Sequence, residues 1–190
     1  MSSSKSETST YKSATDWDIY LWPVMNMLTT MSIEVITDIA TALKQMGMVY
    51  VLGNGGSQAN ASHLSLHLQE VGVRARDLHA ELPLLTAWSN DHDYSTVALN
   101  SLRRYAQIGD ALVVVSGSGD SPNILVALAE SRRIGIRTIG LLGFGGGAAR
   151  SLCDLAIILP SHEYGPVEDV HSVIIHYLKT LLLTSKGKVI

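Results

Sequence analysis

Two groups of histidine and carboxylate side chains have spacings that suit a reactive site. His63 and His67 are four residues apart in a stretch of helical character, so their imidazoles lie on one face, one turn apart. Two imidazoles at this spacing can hold a divalent metal such as zinc. Near the C-terminus, a second helical stretch carries Glu168, His171 and His176. Together the two groups predict a site in which a carboxylate works beside metal-binding imidazoles.

Each of these groups also has an ordinary structural interpretation. The pair His63 and His67 would equally suit two surface histidines, and His176 stands in an apolar stretch that is typical of a core residue. Residues 168 and 176 are about 12 Å apart along a helix axis, so simple projection does not let both bind one metal. Glu168 would have to reach back from the first turn of its helix or serve another role.

Two loops rich in glycine and serine follow predicted strands and open predicted helices, at 53–57 (GNGGS) and 116–122 (SGSGDSP). Glycine lets the backbone come close to a ligand, and a helix N-terminus offers free N–H groups and a positive dipole end to an anion. Either loop alone is as typical of a tight turn with a serine cap. Two of them at neighbouring strand ends favour a phosphate monoester site made of uncharged donors. Asp120 would oppose this interpretation if its carboxylate faced the phosphate.

The sequence gives little support to nucleotide binding. It contains no Walker loop, and Gln58 interrupts the dinucleotide fingerprint in the first glycine loop. Residues 143–148 (GFGGGA) fit that fingerprint, but they follow a late strand rather than the first. The segment is therefore more typical of a glycine-rich turn, and no nucleotide cofactor is expected.

These motifs fall between apolar strands and helices that alternate along the chain. Such alternation predicts a parallel sheet that is covered on both faces. The fold class is therefore α/β, a three-layer sandwich around a doubly wound, mainly parallel five-stranded sheet, which binds ligands beyond the carboxyl ends of its strands. The predicted strands are 48–52, 84–87, 111–115, 137–142 and 155–159, and the predicted helices are 58–70, 95–106, 121–134 and 167–184.

The N-terminal part divides into a polar tail and a helical segment. Residues 1–14 are rich in serine and threonine and are predicted to be a disordered tail. In residues 15–46 apolar side chains recur at helical spacing, and Pro23 predicts a broken first helix followed by a cleaner second one. Their apolar surplus suits oligomerisation as well as it suits a cap on the chain's own core. Residues 15–190 are expected to form one domain.

Composition excludes several classes of protein. The 190 residues are 46% hydrophobic and 16% charged, which suits one globular domain rather than a disordered chain. The formal net charge of −3 and the scattered Lys and Arg residues oppose a nucleic-acid partner. No apolar run approaches the ~20 residues that a membrane helix needs. The single cysteine, Cys153, cannot form an internal disulfide, so a cytoplasmic location is expected.

Four motifs together resemble the sugar isomerase (SIS) domain family: GNGGSQANASH at 53–63, SND at 89–91, SGSGDS at 116–121 and EDVHSVIIH at 168–176. Their order and spacing are most similar to those of the phosphoheptose isomerases, over nearly the whole chain after about residue 15. The resemblance implies a flavodoxin-like SIS fold and the conversion of sedoheptulose 7-phosphate into D-glycero-D-manno-heptose 7-phosphate. It also implies a homotetramer with active sites near subunit interfaces, and a zinc ion in each subunit.

The resemblance also implies roles for individual residues. His63 and His176 match zinc ligands of the family. His67 stands where the family has a glutamate considered to be the catalytic base, and Glu168 stands where it has a glutamine, so the site keeps one carboxylate at a different position. The implied substrate-binding positions are Asn54, Gly55, Gly56 and Ser57 of the first loop, the sugar-contacting pair Asn90 and Asp91, and Ser116, Gly117, Ser118 and Ser121 of the phosphate loop, with Glu168 beside them.

Aldose–ketose interconversion needs a base, an acid and stabilisation of the enediolate. The expected metal ligands are His63, His67 and His176, with Glu168 as a fourth ligand or as the base. His176 or His171 would be the acid, and His67 would take part in catalysis through the metal. Two alternatives stay open: a non-catalytic SIS protein that binds a phosphosugar or acts as a regulator, and an isomerase for another phosphosugar.

Overall fold

The fold is built on a parallel sheet, as seen in a computed structural model that describes residues 15–184. The predicted tail at 1–14 and residues 185–190 lie outside the described residues. The five strands of the sheet are β1 (Val49–Leu52), β2 (Ala75–Asp77), β3 (Ala111–Ser116), β4 (Arg137–Leu142) and β5 (Leu155–Ile158). They lie in the order β2-β1-β3-β4-β5, and every neighbouring pair is parallel.

Helices cover both faces of this sheet. The helices are α1 (Asp16–Thr30), α2 (Ile33–Leu43), α3 (Gly55–Glu70), α4 (Leu82–Asp91), α5 (Val97–Tyr105), α6 (Pro122–Ile134) and α7 (Tyr164–Thr184). Along β3, Val113 and Val115 belong to an apolar cluster with α2, α3 and α7, whereas Leu112 and Val114 belong to a cluster with α5 and α6 on the other face. This confirms the predicted three-layer α/β sandwich with a doubly wound sheet.

The strand order reverses between β1 and β3, and this reversal positions the two glycine- and serine-rich loops. The chain passes from β1 to β2 on one side, whereas β3 is followed by β4 on the other side. Ligands of doubly wound sheets bind in the crevice that such a reversal opens at the carboxyl ends of the strands. Because Leu52 pairs with Val114, the loops that follow β1 and β3 are neighbours, as predicted.

The predicted strand at 84–87 is wrong, because these residues lie inside α4. A short apolar run does not distinguish a strand from a helix by periodicity, and Pro83 in the first turn favours a helix start. The fifth strand is instead β2, with the sequence ARD, which pairs with β1 at the edge of the sheet. One alanine followed by two charged residues forms no apolar pattern, so the sequence does not mark this segment as a strand.

The first helix breaks at a different place from the predicted one. Helix α1 runs through Pro23, and the bend of 70° lies between α1 and α2, at residues 31–32. Proline removes the hydrogen bond of its own nitrogen, but a capping box between Thr15 and Asp18 supports the start of the helix. The helix therefore tolerates Pro23, and the predicted break there is wrong.

Helix α1 leaves much of its apolar surface exposed. Trp17, Ile19, Trp22 and Met25 are each at least 60% exposed, and Met27 is its buried residue. Taken as a bent pair, α1 and α2 have the length and apolar composition of a membrane span. Among residues 15–184, no single helix has both.

Candidate active site

Helix α3 starts three residues earlier than predicted, so it contains most of the first glycine loop. Its first turn includes Gly55, Gly56 and Ser57, and the predicted start at Gln58 is wrong. The Gln58 amide donates to the carbonyl of Asn54 at 3.1 Å, so the three amides before it have no carbonyl partner within the helix. Gly55 has a φ of +54°, which a residue with a side chain rarely adopts. This end of α3 therefore offers three backbone donors to an anion.

The serine loop after β3 is held in shape by its own hydroxyl groups. The Oγ of Ser116 accepts a hydrogen bond from the Gly119 amide at 3.0 Å, and the Oγ of Ser118 accepts from the Asp120 amide at 3.2 Å. Both hydroxyls act as acceptors here, so their O–H groups stay available to donate to a ligand. Ser121 is the N-cap residue of α6 and makes no side-chain capping bond. The loop thus presents hydroxyl donors at the start of a helix.

Asp120 holds the glycine segment 143–148 against the serine loop. Its Oδ1 accepts a hydrogen bond from the Ala148 amide at 2.8 Å. The two segments are close because Gly119 has no side chain: a Cβ there would collide with the carbonyl oxygen of Gly146. The carboxylate of Asp120 is therefore engaged with the glycine segment, which removes the objection that it faces a phosphate.

We expect Gly119→Ala to destabilise the protein more than Gly109→Ala does. Both glycines have a left-handed φ, +70° and +98°, which costs an alanine about 1 kcal/mol. A Cβ at Gly109 meets no atom within 4 Å, whereas one at Gly119 also meets a backbone carbonyl. Urea unfolding of both variants measures the difference, and equal losses would contradict a close contact between the two loops.

Three histidines from two helices form a cluster. His63 and His67 lie on α3 and His176 lies on α7, with ring centroids 4.2, 4.9 and 5.2 Å apart. One ring nitrogen from each lies within 4.8 Å of the others. The helices run in parallel, since contacts advance along both in the same direction, from Ser57 with Glu168 to the histidines. The structure thus brings His176 to the predicted pair.

The electrostatics of this cluster suit a cation. Burial lowers the pKa of His63, and the charges of His67 and His176 would lower it further, so the imidazole favours its neutral, metal-binding form. His67 is buried, and its Nδ1 lies 2.9 Å from Glu70 Oε2. Its Nε2 is also buried, with no hydrogen-bond partner among residues 15–184. A buried nitrogen without a partner beside two more imidazoles fits a divalent metal ion.

Glu168 is not part of the histidine cluster. Its Oε1 accepts a hydrogen bond from the Ser57 hydroxyl at 3.2 Å, and its backbone carbonyl accepts from Asn60 Nδ2 at 2.9 Å. A Cβ on Gly56 would collide with this carboxylate, so the glycine makes room for it. Eight residues of α7, about 12 Å, separate it from His176. Within one chain the structure therefore brings three of the four predicted metal ligands together and leaves Glu168 at the start of α3.

Asn90 and Asp91 lie at the C-terminal end of α4 and are exposed. The Nδ2 of Asn90 donates to Asp91 Oδ1 at 2.8 Å. In the part of the chain that the structure describes, neither side chain is hydrogen-bonded to the strand-end loops. The predicted sugar-contacting pair is thus exposed at the end of a surface helix, and its role in binding the sugar stays a prediction.

A family model for the SIS domain matches residues 29–143, which is more than half of the chain. The chain belongs to the SIS domain family. This confirms the family that the four sequence motifs indicated.

Several relatives of this SIS domain are named phosphoheptose isomerase. The phosphoheptose isomerase of Pelobacter propionicus is 36% identical over 155 residues, which cover 78% of this chain and 82% of that one. The phosphoheptose isomerase of a Nitratiruptor species is 37% identical over 147 residues, covering 74% and 79%. The solved structure of a phosphoheptose isomerase from Francisella tularensis superposes with a TM-score of 0.82 at 25% identity, covering 90% and 95%. The expected resemblance to phosphoheptose isomerases is confirmed.

Two residues that sequence reasoning missed fix the side chain of Asn54 in this SIS domain. Asn54 and Asn123 exchange a reciprocal pair of hydrogen bonds, both at 2.9 Å, and the hydroxyl of Tyr94 donates to Asn54 Oδ1 at 2.6 Å. Asn123 is 2% exposed, so its amide needs such a partner. These bonds join the ends of β1 and β3 and leave one N–H of Asn54 free for a ligand. The sequence offers one sign of this role for Asn123, which is its position directly after the serine loop.

His171 is a core residue of the SIS domain and not a member of the site. It is 0% exposed, and burial lowers its pKa to about 4. A group that stays neutral down to this pH does not donate a proton near neutrality. Of the two predicted acids, His176 is therefore the one that reaches the other histidines.

We expect His171 to make the SIS domain less stable as the pH falls. In the unfolded chain His171 is protonated below about pH 6.5, whereas in the folded chain it stays neutral down to about pH 4. The free energy of unfolding should therefore decrease between these values, by about 3 kcal/mol in total. Urea unfolding of metal-free protein at pH 7, 5.5 and 4.5 measures this, and His171→Leu should flatten the decrease. An identical pH dependence in wild type and variant would contradict it.

Proposed function

We propose that this chain is an aldose–ketose isomerase that converts sedoheptulose 7-phosphate into D-glycero-D-manno-heptose 7-phosphate. One observation carries the proposal: helix α7 contacts all three parts of the site. The ring of Tyr164 lies against Gly117 of the serine loop, Glu168 accepts from Ser57 at the start of α3, and His176 completes the histidine cluster. The names of the relatives support the same reaction.

Uncharged donors hold the phosphate in this proposal. The backbone amides at the start of α3 and the hydroxyls of Ser116, Ser118 and Ser121 lie at neighbouring strand ends. Two helix N-termini, of α3 and α6, add their positive dipole ends. Binding energy from the phosphate, remote from the reacting carbons, then serves to orient them.

Abstraction of the proton next to the sugar carbonyl is assigned to Glu168, whose carboxylate is held by the Ser57 hydroxyl at the edge of the loops. His176 lies about 12 Å further along α7 and is a ligand of the proposed metal, so its predicted role as the acid is not part of this assignment. This assignment differs from the family pattern, because the family's basic glutamate is replaced by His67.

The metal is proposed to be zinc, one ion per subunit, held by His63, His67 and His176. When bound, it would supply a Lewis acid that polarises the carbonyl oxygen. The buried and unpartnered Nε2 of His67 supports a metal at this place. Metal analysis of the purified protein, by mass spectrometry of the released ions, tests both the stoichiometry and the identity.

A homotetramer and a cytoplasmic location are further parts of the proposal. The exposed Trp17, Ile19, Trp22 and Met25 of α1 offer an apolar surface that a second subunit would cover, which supports the role of residues 15–46 in oligomerisation of one SIS domain. Light scattering of the full chain at several concentrations tests the tetramer. Cys153 is half-buried and free, which suits a reducing compartment.

The decisive experiment follows sedoheptulose 7-phosphate in the presence and absence of zinc. We expect turnover to D-glycero-D-manno-heptose 7-phosphate, observed by NMR, and binding of the phosphosugar, measured by calorimetry. Binding without turnover would favour the non-catalytic regulatory alternative, which His67 in place of the family glutamate also favours. If the protein turns over a different phosphosugar but not sedoheptulose 7-phosphate, the proposed substrate is wrong.

A further inference from the structure

The surroundings of His67 differ from those of the other two cluster histidines. Its Nδ1 lies 2.9 Å from the Oε2 of Glu70, one turn further along α3. The same Oε2 accepts a hydrogen bond from Lys179 Nζ at 2.7 Å, and Lys179 is one turn beyond His176 on α7. The two helices are therefore joined by a chain of contacts that runs from Lys179 through Glu70 to His67.

This contact determines which nitrogen of His67 faces the cluster. A carboxylate is ionised near neutral pH and can only accept, so the hydrogen of a neutral imidazole must lie on Nδ1. The lone pair is then on Nε2, the buried atom that has no hydrogen-bond partner among residues 15–184. Without Glu70, the imidazole of His67 would be free to take the other tautomer or to rotate.

The contact also places a carboxylate beside the cluster, and this carboxylate is paired with Lys179 as well. Three neutral imidazoles bring no charge to a divalent cation, and the resemblance puts a glutamate where this chain has His67. Here the carboxylate on that helix is Glu70, three residues further along, and it contacts the imidazole of His67. Carboxylates that accept from a metal-bound imidazole orient the ring and raise its basicity.

We propose that Glu70 is a positioning residue of the metal site, which orients His67 for metal binding. The inference rests on the metal site of the proposed function. A surface ion pair between residues three apart on a helix would contribute little, but the histidine of this pair is buried and has a second nitrogen that needs a partner.

The test is the affinity of the full-length, metal-free chain for Zn²⁺, measured by competition with a chromophoric chelator. We expect Glu70→Ala to weaken binding about 10- to 100-fold. Glu70→Gln, which keeps an acceptor but loses the charge, should weaken it less. Lys179→Met should stay close to wild type, because the contact between Glu70 and His67 remains. Titration with Co²⁺ should give a weaker visible absorption band per protein in Glu70→Ala.

Controls separate this role from general effects. Glu34→Gln removes a negative charge on α2, where Glu34 contacts Ser32, and should leave Zn²⁺ affinity unchanged. Glu70 is 45% exposed, so the metal-free variants should stay folded, which their melting curves check. Wild-type Zn²⁺ affinity in Glu70→Ala, or an equal loss in Glu34→Gln, would overturn the inference alone. A wild-type chain that binds no Zn²⁺ would overturn the metal site and the inference with it.

Discussion

Replacing Glu168 with Gln is expected to lower kcat for sedoheptulose 7-phosphate by about 10³-fold. Glutamine has the same size as glutamate and can still accept from the Ser57 hydroxyl, now 3.2 Å from the carboxylate, but it cannot take a proton. The phosphate donors at the start of α3 and in the serine loop are unchanged. The dissociation constant of the phosphosugar, measured by calorimetry, should therefore stay within about threefold of wild type.

The matched control for this variant is Glu163→Gln. Glu163 is exposed just before α7, so its replacement removes a carboxylate near the site without touching Ser57. We expect wild-type turnover from the control. Wild-type turnover in Glu168→Gln would show that Glu168 is not the base. Weakened phosphosugar binding in that variant would mean that Glu168 binds substrate instead.

Replacing His176 with Ala is expected to remove most of the bound metal and most of the turnover. His63 and His67 would remain on one helix, but catalytic zinc sites usually have three protein ligands. We expect zinc affinity to fall at least about 100-fold, as measured by chelator competition, and kcat to fall by a similar factor. Removal of the metal from wild type with a chelator should have the same effect on turnover, and added zinc should reverse it.

His162→Ala is the control for this second variant. His162 is an exposed histidine that stacks on Phe144 and lies outside the cluster, so its loss should leave zinc content and kcat unchanged. If His176→Ala keeps full zinc content, the metal is held elsewhere. If it loses zinc but keeps turnover, the metal has no part in the reaction.

The main architecture could be predicted because it depends on local patterns. The apolar strands that became β1, β3, β4 and β5 are continuous runs with glycine, serine or proline at their carboxyl ends, and such runs indicate a buried parallel sheet. The edge strand β2 could not be found in this way, because two of its three residues are charged and its pairing with β1 depends on tertiary structure. Likewise, the helix through Pro23 depends on capping and packing that outweigh the propensity of one residue.

The candidate site was also predicted only where local patterns in the sequence mark its residues. His63 and His67 share a helix, so their spacing is visible in the sequence, and the family motifs added His176. The separation of Glu168 from the histidines depends on the parallel packing of α3 and α7, which places residue 168 beside Ser57. The partners Glu70 and Lys179 are 109 residues apart, and no local pattern marks such a pair.

The residues that support the substrate loop were also beyond sequence reasoning. Asn54 was predicted to contact substrate, but its partner Asn123 is 69 residues away and Tyr94 is 40 away. Each is an ordinary polar residue by type. They acquire a role because β1 and β3 are neighbours, which brings the first turn of α6 to the end of β1.

The most direct test of the account is a crystal structure with zinc and sedoheptulose 7-phosphate, recorded at the zinc absorption edge. We predict an anomalous peak about 2.0–2.1 Å from a ring nitrogen of His63, His67 and His176. The phosphate of the sugar should lie at the first amides of α3 and the hydroxyls of the serine loop, in the same crevice as that peak. A phosphate bound elsewhere, or a crevice whose histidines hold no zinc at saturating concentration, would contradict the account.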